Sequence, residues 1–142
     1  MENQDKVLSL LKLHKLLFET IEFHRLGIKN ENTPKFNIQS NVMQSSGQEE
    51  LYKVELIMKC VKENEYNFNI KLAGYFSFLD NSKLSEKDKT TLISRNTVSI
   101  LMPYMRSQIS LLTAQPEVDC IVLPPFNISA MIDETNGEKS NH

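Results

Sequence analysis

Two stretches of strict alternation between apolar and polar residues constrain the fold of this chain most strongly. Every even position of residues 52–60 is apolar, and so is every even position of residues 66–76 apart from Gly74. Successive side chains of a strand point to opposite faces of a sheet, so each stretch predicts a β-strand with one buried face. The polar link over residues 62–65 is short, and two alternating strands joined so closely predict an antiparallel hairpin.

The first third of the chain predicts two further strands. Residues 36–43 form a shorter strand, and residues 6–25 fit either a helix or a strand. The helical stripe contains Val7, Leu10, Leu11, His14, Leu17, Phe18 and Ile21, and the strand face contains Leu11, Leu13, Leu17, Ile21 and Phe23. Alternation over residues 20–24 favours a strand, so we expect a turn or two of helix after Asp5 and a strand over residues 15–24. For residues 6–14 both alternatives stay open.

The second half of the chain predicts helices, which would cover the apolar face of the sheet. Residues 97–114 repeat apolar side chains every three or four positions, the pattern of an amphipathic helix. Pro103 lacks an N–H, so we expect the helix to bend there or to begin only a turn earlier. Before it, Ser82 and Ser85 are candidate N-caps for a short helix over residues 86–93.

The end of the chain predicts an extended segment and one more helix. Gln115 and Pro116 end the long helix, and residues 120–126 are apolar and held extended by two prolines. A last helix is expected from about Ile128. The fold class predicted is therefore α+β, a curved four-stranded antiparallel sheet with helices on one face. We expect a single domain with its core over residues 13–134 and a polar tail over residues 135–142.

Composition excludes several classes of function. The formal net charge is -2, so no basic excess is present to bind nucleic acid. Cys60 and Cys120 form no CxxC pair, which predicts reduced thiols in the cytoplasm and no zinc site. Lys12, His14 and Lys15 interrupt the first apolar stretch, so we expect neither a signal peptide nor membrane insertion.

No motif of catalytic or metal-binding residues stands out. The three histidines have no cysteine or paired carboxylate at ligand spacing, and Cys60 lies on an apolar strand face without a base at a telling position. We therefore expect no catalytic residues, no metal, no cofactor and no enzymatic activity.

The apolar, proline-rich residues 121–126 are the feature most suggestive of function, because loops are normally polar. One interpretation is that they pack on the sheet as core. The other is that they line a binding groove beside the long helix, since exposed apolar surface marks binding sites. The predicted groove contains Phe18, Ile38, Val42, Tyr104, Met105, Ile109, Val122, Leu123 and Phe126.

Several short motifs resemble the SecB family of export chaperones. Residues 102–106, Met-Pro-Tyr-Met-Arg, are similar to the family's Phe-Pro-Tyr-x-Arg in its long helix, and residues 127–131 resemble its approach to the final helix. Residues 74–76, Gly-Tyr-Phe, match Gly-Ile-Phe at the end of its fourth strand, and residues 18–23 match its first strand loosely. The resemblance spans residues 13–134.

The resemblance implies a homotetramer, a dimer of dimers, that binds unfolded preproteins without ATP and hands them to the SecA motor. In the best-known branch SecA contacts acidic residues on the outer face of the sheet. The corresponding positions here are Thr20, His24 and Asn69, and none of them is acidic. The resemblance therefore implies client binding more strongly than it implies SecA binding. A divergent branch holds the antitoxin of a toxin–antitoxin system. The alternative from another class is a small homo-oligomeric ligand-binding protein or enzyme.

Overall fold

The alternating residues of the predicted hairpin form the centre of one antiparallel sheet. The structure, a computed structural model, describes residues 11–45, 51–79 and 84–124. Its four strands are β1 (Leu11–Arg25), β2 (Lys35–Gln44), β3 (Tyr52–Lys62) and β4 (Tyr66–Phe78). They pair in the order β1-β4-β3-β2, so β1 and β2 are the two edge strands. The predicted curved, four-stranded antiparallel fold is confirmed.

The central strands β3 and β4 have the buried face that their alternation predicted. The even-numbered side chains of both strands lie in the core, and most of the odd-numbered ones lie on the opposite face. Asn64 turns the chain between the strands with a positive φ of 65°. Burial of one complete face leaves the sheet dependent on a second layer.

Strand β1 differs from its prediction because two β-bulges change which of its residues face the helices. The register against β4 shifts between Leu13 and Lys15 and again between Phe18 and Thr20. Each bulge adds one residue of β1 that has no partner in β4. The alternation of residues that face the helices is therefore displaced by one position at each bulge. That face contains Leu11, Leu13, Leu16, Phe18, Ile21 and Phe23.

The sequence prediction for β1 needs two corrections. Leu17 was predicted on the apolar face, but the bulge places it opposite Ala73 on the other side of the sheet. The strand also begins at Leu11 rather than at Lys15, so residues 11–14 are extended and not helical. Residues 6–10 lie outside the described residues.

The helical layer is one continuous helix rather than two. Helix α1 (Glu86–Thr91) passes through a π-helical turn (Leu92–Asn96) into α2 (Thr97–Thr113). Ser85 caps α1 as predicted, accepting a hydrogen bond from the Asp88 N–H at 3.1 Å. At the end of the π-helical turn the hydroxyl of Thr97, the first residue of α2, donates to the Ile93 carbonyl, a side-chain bond of the kind that perturbs a helical ladder. Pro103 lies within α2.

The core lies between α2 and the central strands. Helix α2 contacts β3 and β4, and it buries Val98, Leu101, Met102, Met105 and Ile109. After α2 the chain turns back along the helix. The Ser110 hydroxyl donates to the Ile121 carbonyl at 2.9 Å, and the Arg106 guanidinium donates to the Leu123 carbonyl at 3.3 Å. The predicted last helix and the polar tail lie outside the described residues.

Candidate functional site

Three residues of the predicted groove are core residues. Ile38 is 3% exposed, and Met105 and Ile109 are fully buried between the sheet and the helix. A side chain in the core offers no surface to a partner, so these three do not line a groove of this chain. The helical periodicity identified the apolar side of α2 correctly, but that side is used for packing against the sheet.

The other described members of the predicted groove remain accessible but are dispersed. Val42 is 42% exposed, Tyr104 46% and Val122 77%, and Phe18 and Leu123 are half-buried. Phe18 lies on β1 and Val42 on β2, three strand spacings apart, or about 14 Å. Because α2 covers the strands between them, they belong to separate surfaces. Phe126 lies outside the described residues.

The first of these surfaces is an open depression of about 560 Å³ between α2 and the segment that follows it. We call it the helix-flank depression, and it is lined by Pro103, Arg106, Ser107, Ser110, Leu111, Val122 and Leu123. Its apolar members lie beside Arg106, Ser107 and Ser110, and of these Arg106 and Ser110 also hydrogen-bond the returning chain. It contains two of the predicted groove residues, Val122 and Leu123.

The second surface is a cleft of about 250 Å³ between β2 and the start of the helix. This β2–α1 cleft has an apolar part and a polar rim, and it is lined by Val42, Gln44, Tyr52, Glu86, Lys89, Thr90, Ile93 and Ser94. The Lys89 ammonium lies 3.9 Å from the Glu86 carboxylate, so the charges at the rim are paired. Val42 is its only member among the predicted groove residues.

The third surface was represented in the predicted groove by Phe18 alone. Beyond the edge of α2, the β1 apolar row (Leu13, Leu16, Phe18, Ile21 and Phe23) continues along the helix side of the edge strand. Ile21 is exposed and the other four side chains are partly buried against the core. The only signal in the sequence was the density of apolar residues in β1, because the bulges that bring them to one face have no clear sequence mark.

A buried ion pair fixes the segment that joins β1 to β2. The Lys62 ammonium lies 2.8 Å from the Glu65 carboxylate, and both side chains are almost fully buried. The Glu65 carboxylate also accepts a hydrogen bond from the Asn30 N–H at 2.7 Å. The backbone carbonyl of Glu65 accepts hydrogen bonds from the N–H groups of Leu26 and Gly27. The hydrogen bond from Lys62 lowers the pKa of Glu65 even though burial opposes ionisation. The charged carboxylate therefore anchors this segment to the β3–β4 turn.

The same segment is tied to the chain that follows α2. The Arg25 guanidinium donates to the Glu117 carbonyl at 2.8 Å, and the Lys29 ammonium lies 2.7 Å from the Asp119 carboxylate. Because the Lys29–Asp119 ion pair is largely exposed, it orients the segment more than it stabilises the fold. Together with the buried ion pair, these contacts hold the segment that follows α2 in place against the sheet.

The described residues offer little for chemistry. Among residues 11–45, 51–79 and 84–124, no three His, Cys, Asp or Glu side chains come close enough to hold a metal ion. Burial raises the pKa of the Cys60 thiol to about 12, which makes it a poor nucleophile. In the same part of the chain, no helix combines the length and apolar character needed to cross a membrane.

Exposed apolar surfaces such as these three mark sites where a protein contacts other molecules. The chain belongs to the SecB family. The family model described as "Preprotein translocase subunit SecB" matches residues 2–139. This membership supports a chaperone role.

Two individual proteins are similar to this chain. The structure of the SecB-like chaperone Rv1957 of Mycobacterium tuberculosis, in complex with a ChAD peptide from the Rv1956 HigA1 antitoxin, superposes with a TM-score of 0.69. It covers 88% of this chain and 96% of that chain at 12% identity, a level that shows a shared fold. The uncharacterized protein MJ0357 of Methanocaldococcus jannaschii is 40% identical over 50 residues. That match spans 31% of this chain and only 32% of the relative.

Proposed function

We propose that this protein is an ATP-independent chaperone that binds non-native polypeptides and releases them unchanged. The observation that carries the proposal is the SecB family match over residues 2–139. The architecture agrees with it, because a sheet and one helix leave apolar side chains uncovered on both sides of the helical layer.

Clients would bind at several apolar surfaces rather than in one groove. The helix-flank depression, the β2–α1 cleft and the β1 apolar row each offer side chains for hydrophobic contact, at roughly 25 cal/mol for each Å² buried. Contacts of this kind need no fixed pairing of residues, so many sequences can bind. Each surface alone binds weakly, but several segments of one unfolded chain bound together raise the overall affinity.

Assembly into a homotetramer, a dimer of dimers, would multiply these surfaces. On the outward side of α2, Tyr104 is exposed and Ile100 is half-buried, so this helix has apolar residues on a side that the sheet does not cover. A second copy of the chain is the partner we propose for that side. Light scattering at micromolar concentration should give a mass about four times 16.4 kDa, and a strict monomer would contradict the proposal.

The identity of the client has two candidates. One is a precursor held for export, handed to SecA in the cytoplasm. Thr20, His24 and Asn69 are the positions where the SecB resemblance places acidic SecA contacts, and all three lie on the outer face of the sheet without a carboxylate. The second candidate is an antitoxin, and the SecB-like chaperone bound to an antitoxin peptide supports it. The absence of acidic side chains at the SecA positions makes the antitoxin the stronger candidate.

Suppression of aggregation tests both the activity and the surface. A chemically unfolded protein diluted into buffer should aggregate more slowly with a stoichiometric amount of this protein, without ATP. Val122→Asp places a charge in the helix-flank depression and should weaken the protection. Val61→Asp makes the same change at a half-exposed position on the outer face of the sheet and should leave protection unchanged.

Two outcomes would contradict the proposal. If the unaltered protein does not slow aggregation, the chaperone function is wrong. If both valine variants stay folded by circular dichroism and protect as well as the parent, the helix-flank depression is not a client surface. The two outcomes are distinguishable because the first is measured without any substitution.

A further inference from the structure

The outer face of the sheet, the side away from the helical layer, carries an excess of positive charge. The strand register places six lysines and three glutamates on this side, and two histidines of β1 lie there or beside it. The lysines are Lys12, Lys15, Lys35, Lys53, Lys59 and Lys71, and the glutamates are Glu19, Glu22 and Glu55. The whole chain has a formal net charge of -2, so positive charge is concentrated on this face.

A ladder of ion pairs in the middle of the face uses two of the glutamates. The Lys53 ammonium lies 3.0 Å from Glu19 and 3.9 Å from Glu55, and the Lys71 ammonium lies 3.4 Å from Glu55. The hydrogen bond from Lys53 lowers the pKa of Glu19 and keeps it charged. These four side chains neutralise one another. The third glutamate, Glu22, lies 3.8 Å from the His24 ring.

Four lysines lie outside this ladder. Lys12, Lys15, Lys35 and Lys59 are all exposed, and none has a carboxylate within 4 Å among the residues that the structure describes. Lys15 lies above the Tyr75 ring, 5.7 Å from its centroid, which adds an aromatic contact beside the charge. The excess charge of the face therefore comes from these four ammonium groups.

The four lysines lie at the two ends of the face. Lys12 and Lys15 are opposite the C-terminal end of β4, whereas Lys35 and Lys59 are aligned with its N-terminal end. The ten residues of β4 between these ends extend about 33 Å. A polypeptide segment with acidic side chains at both ends could reach both lysine pairs and pass over the neutral ladder.

We propose that the outer face docks an acidic segment of a partner protein. A polypeptide fits better than a nucleic acid, because a phosphate backbone carries a charge at every step and would meet Glu19 and Glu55 in the middle of the face. Acidic side chains can be spaced to avoid that ladder. The docked segment lies on the opposite side of the sheet from the apolar surfaces, so partner and client can bind together. This inference does not depend on the chaperone proposal.

Binding of a model peptide tests this inference. The probe is a fluorescein-labelled peptide of about ten residues with two glutamates at each end and serines between them, long enough to span the face. Fluorescence anisotropy at low ionic strength should show binding that weakens at roughly 0.3 M salt, because exposed charges are screened. A peptide of the same length with lysines in place of the glutamates should not bind.

Charge reversal identifies the face. Lys15→Glu and Lys59→Glu should each raise the Kd for the acidic peptide by about threefold or more. Lys87→Glu makes the same change in net charge on exposed α1 and should alter the Kd less. The inference is overturned if the acidic peptide does not bind at low salt, or if Lys87→Glu weakens binding as much as the outer-face variants. It is also overturned if an oligonucleotide of about ten thymidines binds more tightly through the same lysines.

Discussion

Replacement of Leu101 by alanine tests how closely the helix packs on the sheet. Leu101 is fully buried in α2 and lies directly over Gly74 of β4. A Cβ atom added at Gly74 would lie only 2.8 Å from Leu101 Cδ2, so the helix approaches the sheet where β4 has no side chain. The leucine side chain fills the space that a larger residue in the strand would occupy.

The expected loss of stability follows from this geometry. Removal of the buried carbons loses about 2 kcal/mol of hydrophobic transfer free energy. The Phe76 ring also lies at this point, and a packed neighbour of this kind fills such a cavity only in part, so the total loss should be about 3–5 kcal/mol. Such a loss is a large part of the roughly 5–15 kcal/mol that stabilises a domain. It should lower the melting temperature by about 10 °C or more.

The matched control is Leu79→Ala, which removes the same atoms from a side chain that is 61% exposed. Heat and urea unfolding of both variants should be measured at the same protein concentration, because subunit assembly would make stability depend on concentration. Leu79→Ala should change the unfolding free energy by about 0.5 kcal/mol or less. Equal losses in the two variants would refute the close packing of α2 on Gly74.

Three further predictions concern stability and thiol reactivity. Gly27→Ala places a Cβ 2.4 Å from the Asn64 carbonyl oxygen, so unfolding free energy should fall by about 1–3 kcal/mol and proteolysis of the β1–β2 segment should accelerate; unchanged proteolysis would contradict this contact. The lowered pKa of Glu65 contributes stability that is present above the ordinary carboxyl range and lost as the pH falls through its folded pKa. Glu65→Gln should therefore be less stable at neutral pH and lose less stability on acidification, and a parallel pH profile of urea unfolding would argue against the buried ion pair. In native protein an alkylating reagent should modify exposed Cys120 and spare Cys60, whose pKa burial raises to about 12; mass spectrometry showing rapid labelling of Cys60 would contradict its burial.

The central hairpin was predictable because the sequence pattern that specifies it lies within the two strands and their short link. Period-two alternation in residues 52–60 and 66–76 states which side chains share a face, and a short link leaves no other way to pair the strands. The amphipathic pattern of α2 is local in the same sense. The bounds of both elements agree with the sequence prediction to within two residues.

Strand β1 and the helix junction were harder because long-range pairing decides them. Bulges at His14 and Glu19 arise from the pairing with β4, and they change which apolar residues face the helix. The sequence predicted one helix over residues 86–93 and another from residue 97, but the backbone stays helical between them through a π-helical turn. Neither feature leaves a periodic signal in the sequence.

The predicted groove was only partly recovered, since hydrophobicity does not distinguish core from accessible surface. Met105 and Ile109 have the spacing expected for either role, and docking of α2 on β3 and β4 buries both. The strand order then separates Phe18 from Val42 at opposite edges of the sheet. Tyr104 and Val122 remain exposed, so their role as client-binding residues stays a prediction, and which residues share a surface could be learned only from the tertiary structure.

Direct binding of an unfolded polypeptide is the most decisive measurement for the proposed chaperone function. A fluorescently labelled protein kept unfolded by reduction and carboxymethylation can be titrated with this chain and followed by anisotropy. The account predicts a Kd of about 1 μM or tighter, the same with and without ATP, little changed by moderate salt and absent for the native form of the labelled protein. No binding at roughly a hundred times that concentration, or equal binding of the native form, would contradict the account.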